Sequence, residues 1–237
     1  IPVHMLGVPA DMVSINRIGK KYKIPIIEDA CEAIGAKVGR KFVGGLSEFG
    51  IFSFDFGKMI TTGEGGALFS KKKADGRNAR MYHDHGHKNI PNLPRGLDRA
   101  GLVGFNYRMT EISGAFGKVQ LEKFPSILKK SQKRFHTLEK YIRHNEIKFR
   151  HVNSGNEPNF DTFVISIENK KLRNRVISLL NKTGLGTKNL PDAFNWHCAY
   201  FWEHVDKKIR NKEVTNCYNR LLKCVAIPIL VSKPIVD

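Results

Sequence analysis

The feature that most constrains this sequence is the alternation of short apolar strands with helical segments in its first half. Strands are predicted at residues 24–27, 49–56 and 67–70, and Asp11 precedes a segment with the periodicity of a helix that its carboxylate can cap. Strands that alternate with helices indicate an α/β fold in which a mostly parallel sheet is covered by helices.

A shift in composition divides the chain into two predicted domains. Asn, Gly and Pro concentrate at residues 153–159, and a strand at 163–167 and a helix at 172–183 are predicted after them. We therefore expect residues 1–145 to belong to a large domain and residues 146–237 to form a smaller α+β domain.

Length and composition exclude some classes of protein. The chain has 237 residues, of which 41% are hydrophobic, enough for a sizeable core. It has no apolar run near the roughly 20 residues of a membrane-spanning helix and no basic-then-apolar signal segment, so we expect a cytoplasmic protein with no membrane partner. The four cysteines form no CxxC pair, which favours reduced thiols: Cys31, Cys198, Cys217 and Cys224.

The net charge of +18 raises the possibility of a nucleic-acid partner. However, the lysines are spread through amphipathic segments, and only residues 71–73 form a run of like charge. A generally basic surface is favoured over a nucleic-acid groove, and it would also attract an anionic cofactor or substrate. We expect no nucleic acid among the partners, and a basic nucleic-acid-binding module remains the least favoured alternative.

Three features of the first half fit one chemistry. Asp29 ends an apolar strand, where ligands sit in α/β sheets, and its carboxylate can pair with a protonated pyridine nitrogen. Lys58 follows an aromatic strand, and desolvation there makes an amine more nucleophilic. Ser53, five positions earlier, has a hydroxyl that can reach a phosphate, and the Gly-rich turn at residues 61–66 lets the backbone pass close to a ligand.

These features belong to a longer series of motifs that resembles a known family, the DegT/StrS sugar aminotransferases. The series occurs in the family's order and covers nearly the whole chain. The matching motifs are IEDACEAIGA at residues 27–36, GG at 44–45, FSFDFGK at 52–58, TGEGG at 62–66, HDHG at 83–86, GFNYRMTE at 104–111 and QL at 120–121. The resemblance implies fold type I of the enzymes that depend on pyridoxal 5'-phosphate (PLP), and a homodimer with active sites shared between subunits.

The resemblance also implies roles for individual residues. Lys58 would be the Schiff-base lysine, which binds the cofactor and then moves the proton. Asp29 would hold the pyridine nitrogen, Ser53 would bind the phosphate, and Asn106 would reach the cofactor phosphate of the partner subunit. Glu32 stands where the family commonly has Gln or His beside the ring, so its cofactor contact departs from the usual pattern.

The implied reaction is the transfer of an amino group, from glutamate as the expected donor, to a keto sugar in amino-sugar or surface-polysaccharide biosynthesis. Some members of the family are dehydratases in which a His replaces the Schiff-base lysine; this chain keeps Lys58, which favours transamination. A sugar dehydratase or a homologue that only binds a ligand remains the alternative. The resemblance further implies that the family's amino-terminal part precedes Ile1.

A narrower resemblance points to one branch of the family. The stretches HDHGHKN at residues 83–89, PRG at 94–96 and TKNLPDA at 187–193 are similar to the branch that makes 8-amino-3,8-dideoxy-manno-octulosonate. The acceptor would then be 8-oxo-3,8-dideoxy-manno-octulosonate, which carries a carboxylate. From their chemistry alone, Arg95, Lys188 and His197 are candidates to meet that carboxylate.

Alternating histidines provide the one pattern that suggests a metal. His83, His85 and His87 would share one face of a strand, but no cysteine or cluster of carboxylates other than Asp84 accompanies them. A polar role in an active-site or contact loop is favoured, and we expect no metal.

Overall fold

A computed structural model describes residues 1–99, 101–205 and 212–231, the side chains of residues 212 and 213 excepted. The chain divides into two compact units. The first comprises Ile1–Leu128 and Val152–Asn159, and the second comprises Lys129–His151 and Phe160–Asp237. The sequence-based domain boundary between residues 145 and 146 remains a prediction.

Helices and strands are both present, but they do not alternate strictly: five short strands follow the first helix, and three more follow the third. Short 3-10 turns also occur, at Met5–Gly7, Arg95–Leu97 and Ala199–Phe201. The helices are α1 (Met12–Tyr22), α2 (Lys73–Tyr82), α3 (Glu111–Tyr141), α4 (Lys170–Lys182), α5 (Phe194–His197) and α6 (Lys212–Leu221). The strands are β1 (Ile27–Asp29), β2 (Lys37–Val38), β3 (Lys41–Phe42), β4 (Phe49–Ser53), β5 (Gly66–Ser70), β6 (Ile147–Phe149), β7 (Asn156–Glu157), β8 (Thr162–Ile167) and β9 (Cys224–Pro228).

The main sheet of the first unit has the strand order β1-β4-β5. β1 and β4 run parallel, with Asp29 opposite Ile51, and Val3 forms a parallel bridge to Asp29. β5 joins β4 in the antiparallel direction, because residues 54–65 return as a loop without the crossover helix that a parallel strand needs. A second small sheet has the order β3-β2-β7.

The start of β1 is set by the end of α1. Asp11 caps α1 by accepting a hydrogen bond from Ser14 N–H, as the sequence predicts. At the other end Lys23 takes a left-handed conformation, and its N–H returns to Gly19 O, a common way to end a helix. The N–H of Ile24 donates to the same oxygen, so β1 begins at Ile27, three residues later than the sequence suggested.

The second unit is built on an antiparallel sheet with the order β6-β8-β9. β8 is almost entirely buried, because it is the central strand and its side chains contribute to the core of this unit. The buried core side chains are Phe163, Ile165, Ile167, Val225, Ile227 and Ile229. Within the described part of the chain, no helix is both long enough and apolar enough to cross a bilayer.

Candidate active site

Lys58 lies in a loop that is closed at its base by backbone hydrogen bonds. Phe54 N–H donates to Gly65 O at 2.9 Å, and Thr62 N–H donates to Phe54 O at 2.9 Å. Within the loop, Lys58 N–H donates to Asp55 O at 3.1 Å. The Gly-rich turn therefore fixes both ends of the segment that carries the lysine, and the Lys58 side chain is only 18% exposed.

Asp29 is the last residue of β1, at the same edge of the sheet at which β4 ends. Its Oδ1 accepts a hydrogen bond from Cys31 N–H at 3.1 Å, which turns the chain away from the strand. Ser53, at the end of β4, is two residues beyond the partner of Asp29 in the parallel register. Parallel strands thus bring these two residues to one edge, although 24 positions separate them.

The pKa of the Cys31 thiol depends on its burial and on the charges around it. Burial raises the pKa of Cys31 to about 12, with the hydrogen bond and negative charge of Asp29 acting in the same direction. The charge of Glu32 raises this pKa further, whereas the positive charge of Lys58 lowers it. The structure therefore brings together Asp29, Glu32 and Lys58 around one partly buried thiol.

Two carboxylates lie near the amino group of Lys58. Lys58 Nζ is 3.9 Å from Glu32 Oε1 and 3.7 Å from Asp55 Oδ2. Glu32 is one of the residues singled out in the sequence, but Asp55 is not. The signal that could have revealed Asp55 is its spacing, because a carboxylate three residues before a lysine in a tight turn can fold back onto the amine.

This set of groups fits PLP, the cofactor that the sequence motifs imply. The half-buried amine of Lys58 suits a cofactor aldehyde, and the Asp29 carboxylate suits a ring nitrogen that carries a proton. The Ser53 hydroxyl, which accepts Asp55 N–H at 3.3 Å, is available at the same sheet edge for a phosphate oxygen. These roles remain predictions, but all three side chains lie within one unit of the protein.

Asn106 and Arg95 belong to a different cluster of the first unit, built on Asp84. Asn106 forms an isolated antiparallel bridge with Asp84 and is exposed. Both Arg95 and Arg108 bind the Asp84 carboxylate, each with one contact of 2.5 Å, and they hold the pKa of Asp84 well below its usual range. Among the described hydrogen bonds, none joins Asn106 to Asp29, Ser53 or Lys58 of its own chain.

The other two substrate candidates lie in the second unit. Lys188 forms an ion pair with Asp161. His197 is the last residue of α5 and is exposed. Arg95 and Lys188 thus each already contact a carboxylate of this chain. Each partner lies more than ten positions away in the sequence, so the sequence alone did not reveal these ion pairs.

A cavity of about 490 Å³ lies beside the Lys58 loop, against the first half of α3. Its walls include Ile60, Thr62, Met109 and Leu121, and none of the described lining residues is a predicted site residue. No group of three or more His, Cys, Asp or Glu in the described ranges is arranged to hold a metal ion.

Curated proteins similar to this chain include a synthase and a transaminase that are named after nucleotide sugars. The chain is 40% identical over 123 residues to a GDP-perosamine synthase of Caulobacter vibrioides, a match that covers 52% of this chain and 32% of that protein. It is 34% identical over 128 residues to a UDP-4-amino-4,6-dideoxy-N-acetyl-beta-L-altrosamine transaminase of Campylobacter jejuni, covering 53% and 33%. These matches therefore span about a third of each curated relative.

A solved structure shares the fold over almost the whole chain. A protein of Streptococcus pneumoniae, described as a sugar aminotransferase and solved in its PMP form, superposes with a TM-score of 0.80 at 19% identity. The alignment covers 98% of this chain and 63% of that chain. The architecture is accordingly that of fold type I, a mixed α/β fold.

The family model for DegT/DnrJ/EryC1/StrS aminotransferases matches residues 1–232, which is nearly the full length. Together with the Lys58 loop and the carboxylates around it, this match shows that the chain belongs to the DegT/DnrJ/EryC1/StrS aminotransferase family.

Proposed function

We propose that the protein is a PLP-dependent aminotransferase that moves an amino group from an amino acid to a keto sugar. The observation that carries this proposal is the largely buried amine of Lys58, which lies in the loop after β4 and 3.9 Å from Glu32, in the turn that follows β1. Membership of an aminotransferase family and the names of the relatives support the same reaction class.

When bound, PLP supplies an aldehyde that takes up an amino group and a ring that withdraws electrons from the adjacent carbon. Asp29 would hold the ring nitrogen in its protonated form by its negative charge. Ser53 would donate its hydroxyl proton to a phosphate oxygen. Lys58 Nζ would bind the cofactor and then carry a proton to and from the reacting carbon, which requires the amine to stay close to it between the two halves of the reaction.

The finer parts of the proposal concern substrates. Glutamate is the proposed amino donor, and the acceptor is a keto sugar used in amino-sugar or surface-polysaccharide biosynthesis. The motifs at residues 83–89, 94–96 and 187–193 favour 8-oxo-3,8-dideoxy-manno-octulosonate as that sugar. Arg95, Lys188 and His197 are proposed to bind its carboxylate, which for Arg95 and Lys188 would require sharing a cation that already contacts Asp84 or Asp161.

We also propose that the enzyme works in the cytoplasm as a homodimer with shared active sites. Asn106 is exposed, and its backbone pairs with Asp84 and not with the Lys58 loop. Both observations support the proposal that Asn106 binds the cofactor phosphate of the partner subunit. No nucleic-acid or membrane partner is proposed.

Reduction by borohydride after PLP loading tests the assignment of Lys58. In the full-length protein, peptide mass spectrometry should find the pyridoxyl group on Lys58, and Lys58→Ala should lose the visible absorbance of the lysine-bound cofactor. Lys72→Ala, which removes an exposed lysine of the same unit, should keep it. A pyridoxyl group on another lysine would rule out the proposed role of Lys58.

The reaction class is tested by the amino-donor half-reaction. Glutamate should convert the cofactor of the wild-type protein to its amine form, and a keto sugar should then restore the original spectrum. If no amino donor changes the spectrum although Lys58 binds the cofactor, the sugar dehydratase or the ligand-binding homologue becomes the better hypothesis.

A further inference from the structure

The amine of Lys58 lies between two carboxylates that come from different parts of the first unit. Asp55 belongs to the same loop, whereas Glu32 lies 26 positions earlier in the chain, in the turn that follows β1. Both side chains are partly buried, so their charges are less screened by solvent than those of a surface ion pair. The amine therefore has a negative charge on two sides.

Asp55 is fixed by the loop itself. Its Oδ1 accepts Gly57 N–H at 2.5 Å, an arrangement typical of aspartate in tight turns, and its own N–H donates to Ser53 Oγ at 3.3 Å. These two hydrogen bonds hold one carboxylate oxygen and the backbone. The second oxygen, Oδ2, is consequently the one that lies 3.7 Å from Lys58 Nζ.

Glu32 is fixed from the other side. Its Oε2 accepts the N–H of Leu6 at 3.0 Å, and Leu6 is buried. The remaining oxygen, Oε1, is the one that lies 3.9 Å from Lys58 Nζ. Neither carboxylate needs to reorganise to attract a positively charged amine.

We infer that Asp55 is a positioning residue for Lys58, and that it holds the free ammonium together with Glu32 whenever the lysine is not bound to the cofactor. The inference rests on the proposed function, in which Lys58 is released in one half of the reaction and must bind again in the next. An amine held at 3.7 Å by an opposite charge stays within reach of its bonding position.

The other titratable neighbours do not replace Asp55 in this role. The thiol of Cys31 is neutral at working pH, because burial raises its pKa to about 12. Asp29 makes a hydrogen bond with Cys31 N–H and is the residue proposed for the ring nitrogen. The carboxylates that directly face Nζ in the described part of the chain are thus Glu32 and Asp55.

Chemical labelling of Lys58 in the cofactor-free full-length protein tests the inference. A trace of acetic anhydride reacts faster with an amine that is not held in an ion pair, so mass spectrometry of the Lys58 peptide measures how firmly the two carboxylates hold the amine. In Asp55→Asn the labelling rate at pH 8 should rise roughly threefold to tenfold, because the amine loses the ion pair at 3.7 Å that holds it. Asn keeps an oxygen that can accept Gly57 N–H, so the loop should stay folded.

Three comparisons make the result specific. Asp75→Asn removes a matched charge on α2 and should leave the labelling rate of Lys58 unchanged. Asp55→Glu, which restores the charge, should bring the rate back toward that of the wild type. In the unmutated protein, raising the salt concentration from about 0.05 M to about 1 M should increase the labelling, because salt screens the two ion pairs.

A labelling rate of Lys58 that is the same in Asp55→Asn and wild type would overturn the inference, and so would labelling that does not respond to salt. Because this measurement uses no cofactor, its outcome is separate from that of the borohydride experiment. Cofactor bound elsewhere than Lys58 refutes the proposed function, whereas unchanged labelling refutes only the role of Asp55.

Discussion

Glu28 and Asp29 are adjacent carboxylates with different surroundings. Successive residues of a strand point to opposite faces, so only one of the two can face the Lys58 site. Asp29 lies beside Cys31 at that site, whereas Glu28 is fully buried and accepts the N–H groups of Gly44, Leu46 and Ser47 at 2.6–2.7 Å. Glu28 is therefore a structural residue that holds the turn before β4.

His4 completes the environment of Glu28. The N–H of Ala10 donates to His4 Nδ1 at 3.0 Å, so the proton of a neutral imidazole lies on Nε2, which is 3.2 Å from Glu28 Oε2. Burial alone would raise the pKa of Glu28, but the hydrogen bonds from His4 and from the three backbone N–H groups lower it overall.

Glu28→Gln should lower the free energy of unfolding by about 2–4 kcal/mol at pH 7, since an amide NH₂ group cannot accept the N–H groups that a carboxylate oxygen accepts. The lowered pKa means that this stabilisation is present above the ordinary value of 4.5 and is lost as the pH falls through the folded value. Urea unfolding at pH 7 and pH 3 measures both effects, and the difference between variant and wild type should shrink at the lower pH.

Glu48→Gln is the matched control, because Glu48 is exposed and its carboxylate accepts the backbone N–H of Ile26 at 3.0 Å. It should cost about 1 kcal/mol or less. An equal loss of stability in the two variants would contradict the structural role assigned to Glu28.

The raised pKa of Cys31 predicts a thiol with little reactivity. With a pKa of about 12, almost no thiolate is present below pH 9, and the thiolate is the form that reacts with maleimide or iodoacetamide. Cys31 should stay unlabelled at pH 8 in the folded protein and react once urea unfolds it. Rapid labelling of the folded protein at Cys31, seen by mass spectrometry, would contradict the burial of this thiol beside the Asp29 carboxylate.

At the scale of elements, α3 differs most from what the sequence suggests. Helical periodicity is visible at residues 110–119 and again at 126–144, but the structure has one helix, Glu111–Tyr141, that contains Pro125. A proline inside a helix costs a hydrogen bond and favours a break at that position. The helix continues because both of its halves are packed: Phe124 and Leu128 lie over Gly35, and Phe135 and Leu138 pack on the core of the second unit.

β4 contains a glycine, Gly50, at a position that has no room for a side chain. A Cβ added at Gly50 would lie 1.9 Å from the carbonyl oxygen of Gly44, in the turn held by Glu28, and backbone cannot move aside cheaply. Gly50→Ala should therefore destabilise the protein by about 3 kcal/mol or more, because the added methyl group collides with this backbone. Thermal or urea unfolding measures the effect.

Gly114→Ala is the control for this substitution. Gly114 lies inside α3, and nothing lies within 4 Å of the Cβ position in this chain. Alanine favours a helix over glycine by about 1 kcal/mol, so this variant should be neutral or more stable. Destabilisation of similar size at both glycines would argue against the close approach at Gly50.

At the scale of the whole molecule, each unit has a hydrophobic core cluster among its described residues. The described core cluster of the first unit is formed around Ala33 and Val43, and that of the second is formed around β8 and β9; they share no residue. Phe163 is central to the second cluster, because its ring lies 4.7 Å from that of Phe135 and 5.2 Å from that of Phe149, measured between centroids.

Phe163→Ala should lower the free energy of unfolding by about 3–5 kcal/mol, because it leaves a cavity in a well-packed core. Hydrogen exchange should show the largest loss of amide protection in β6, β8 and β9, with a smaller loss in β1 and β4. Phe149→Ala, at a ring that is 39% exposed, should cost less. Equal loss of protection in both sheets would mean that the two cores unfold as one.

Several features follow from the sequence alone because they depend on residues close together in the chain. The Asp11 cap, the end of β1 at Asp29 and the approximate bounds of β4, β5 and β8 arise from local hydrogen bonds and from hydrophobic periodicity. The ordered series of motifs also identified the family, and with it the candidate role of Lys58.

Only the tertiary structure decided how distant residues pair. It placed Glu28 and Asp29 in different surroundings, placed Glu32 beside Lys58, and showed Arg95 bound to Asp84 and Lys188 bound to Asp161. It also decided that α3 passes through Pro125. The physical reason is the same in each case: these outcomes depend on contacts between segments far apart in the chain, and neither propensity nor periodicity within one segment contains that information.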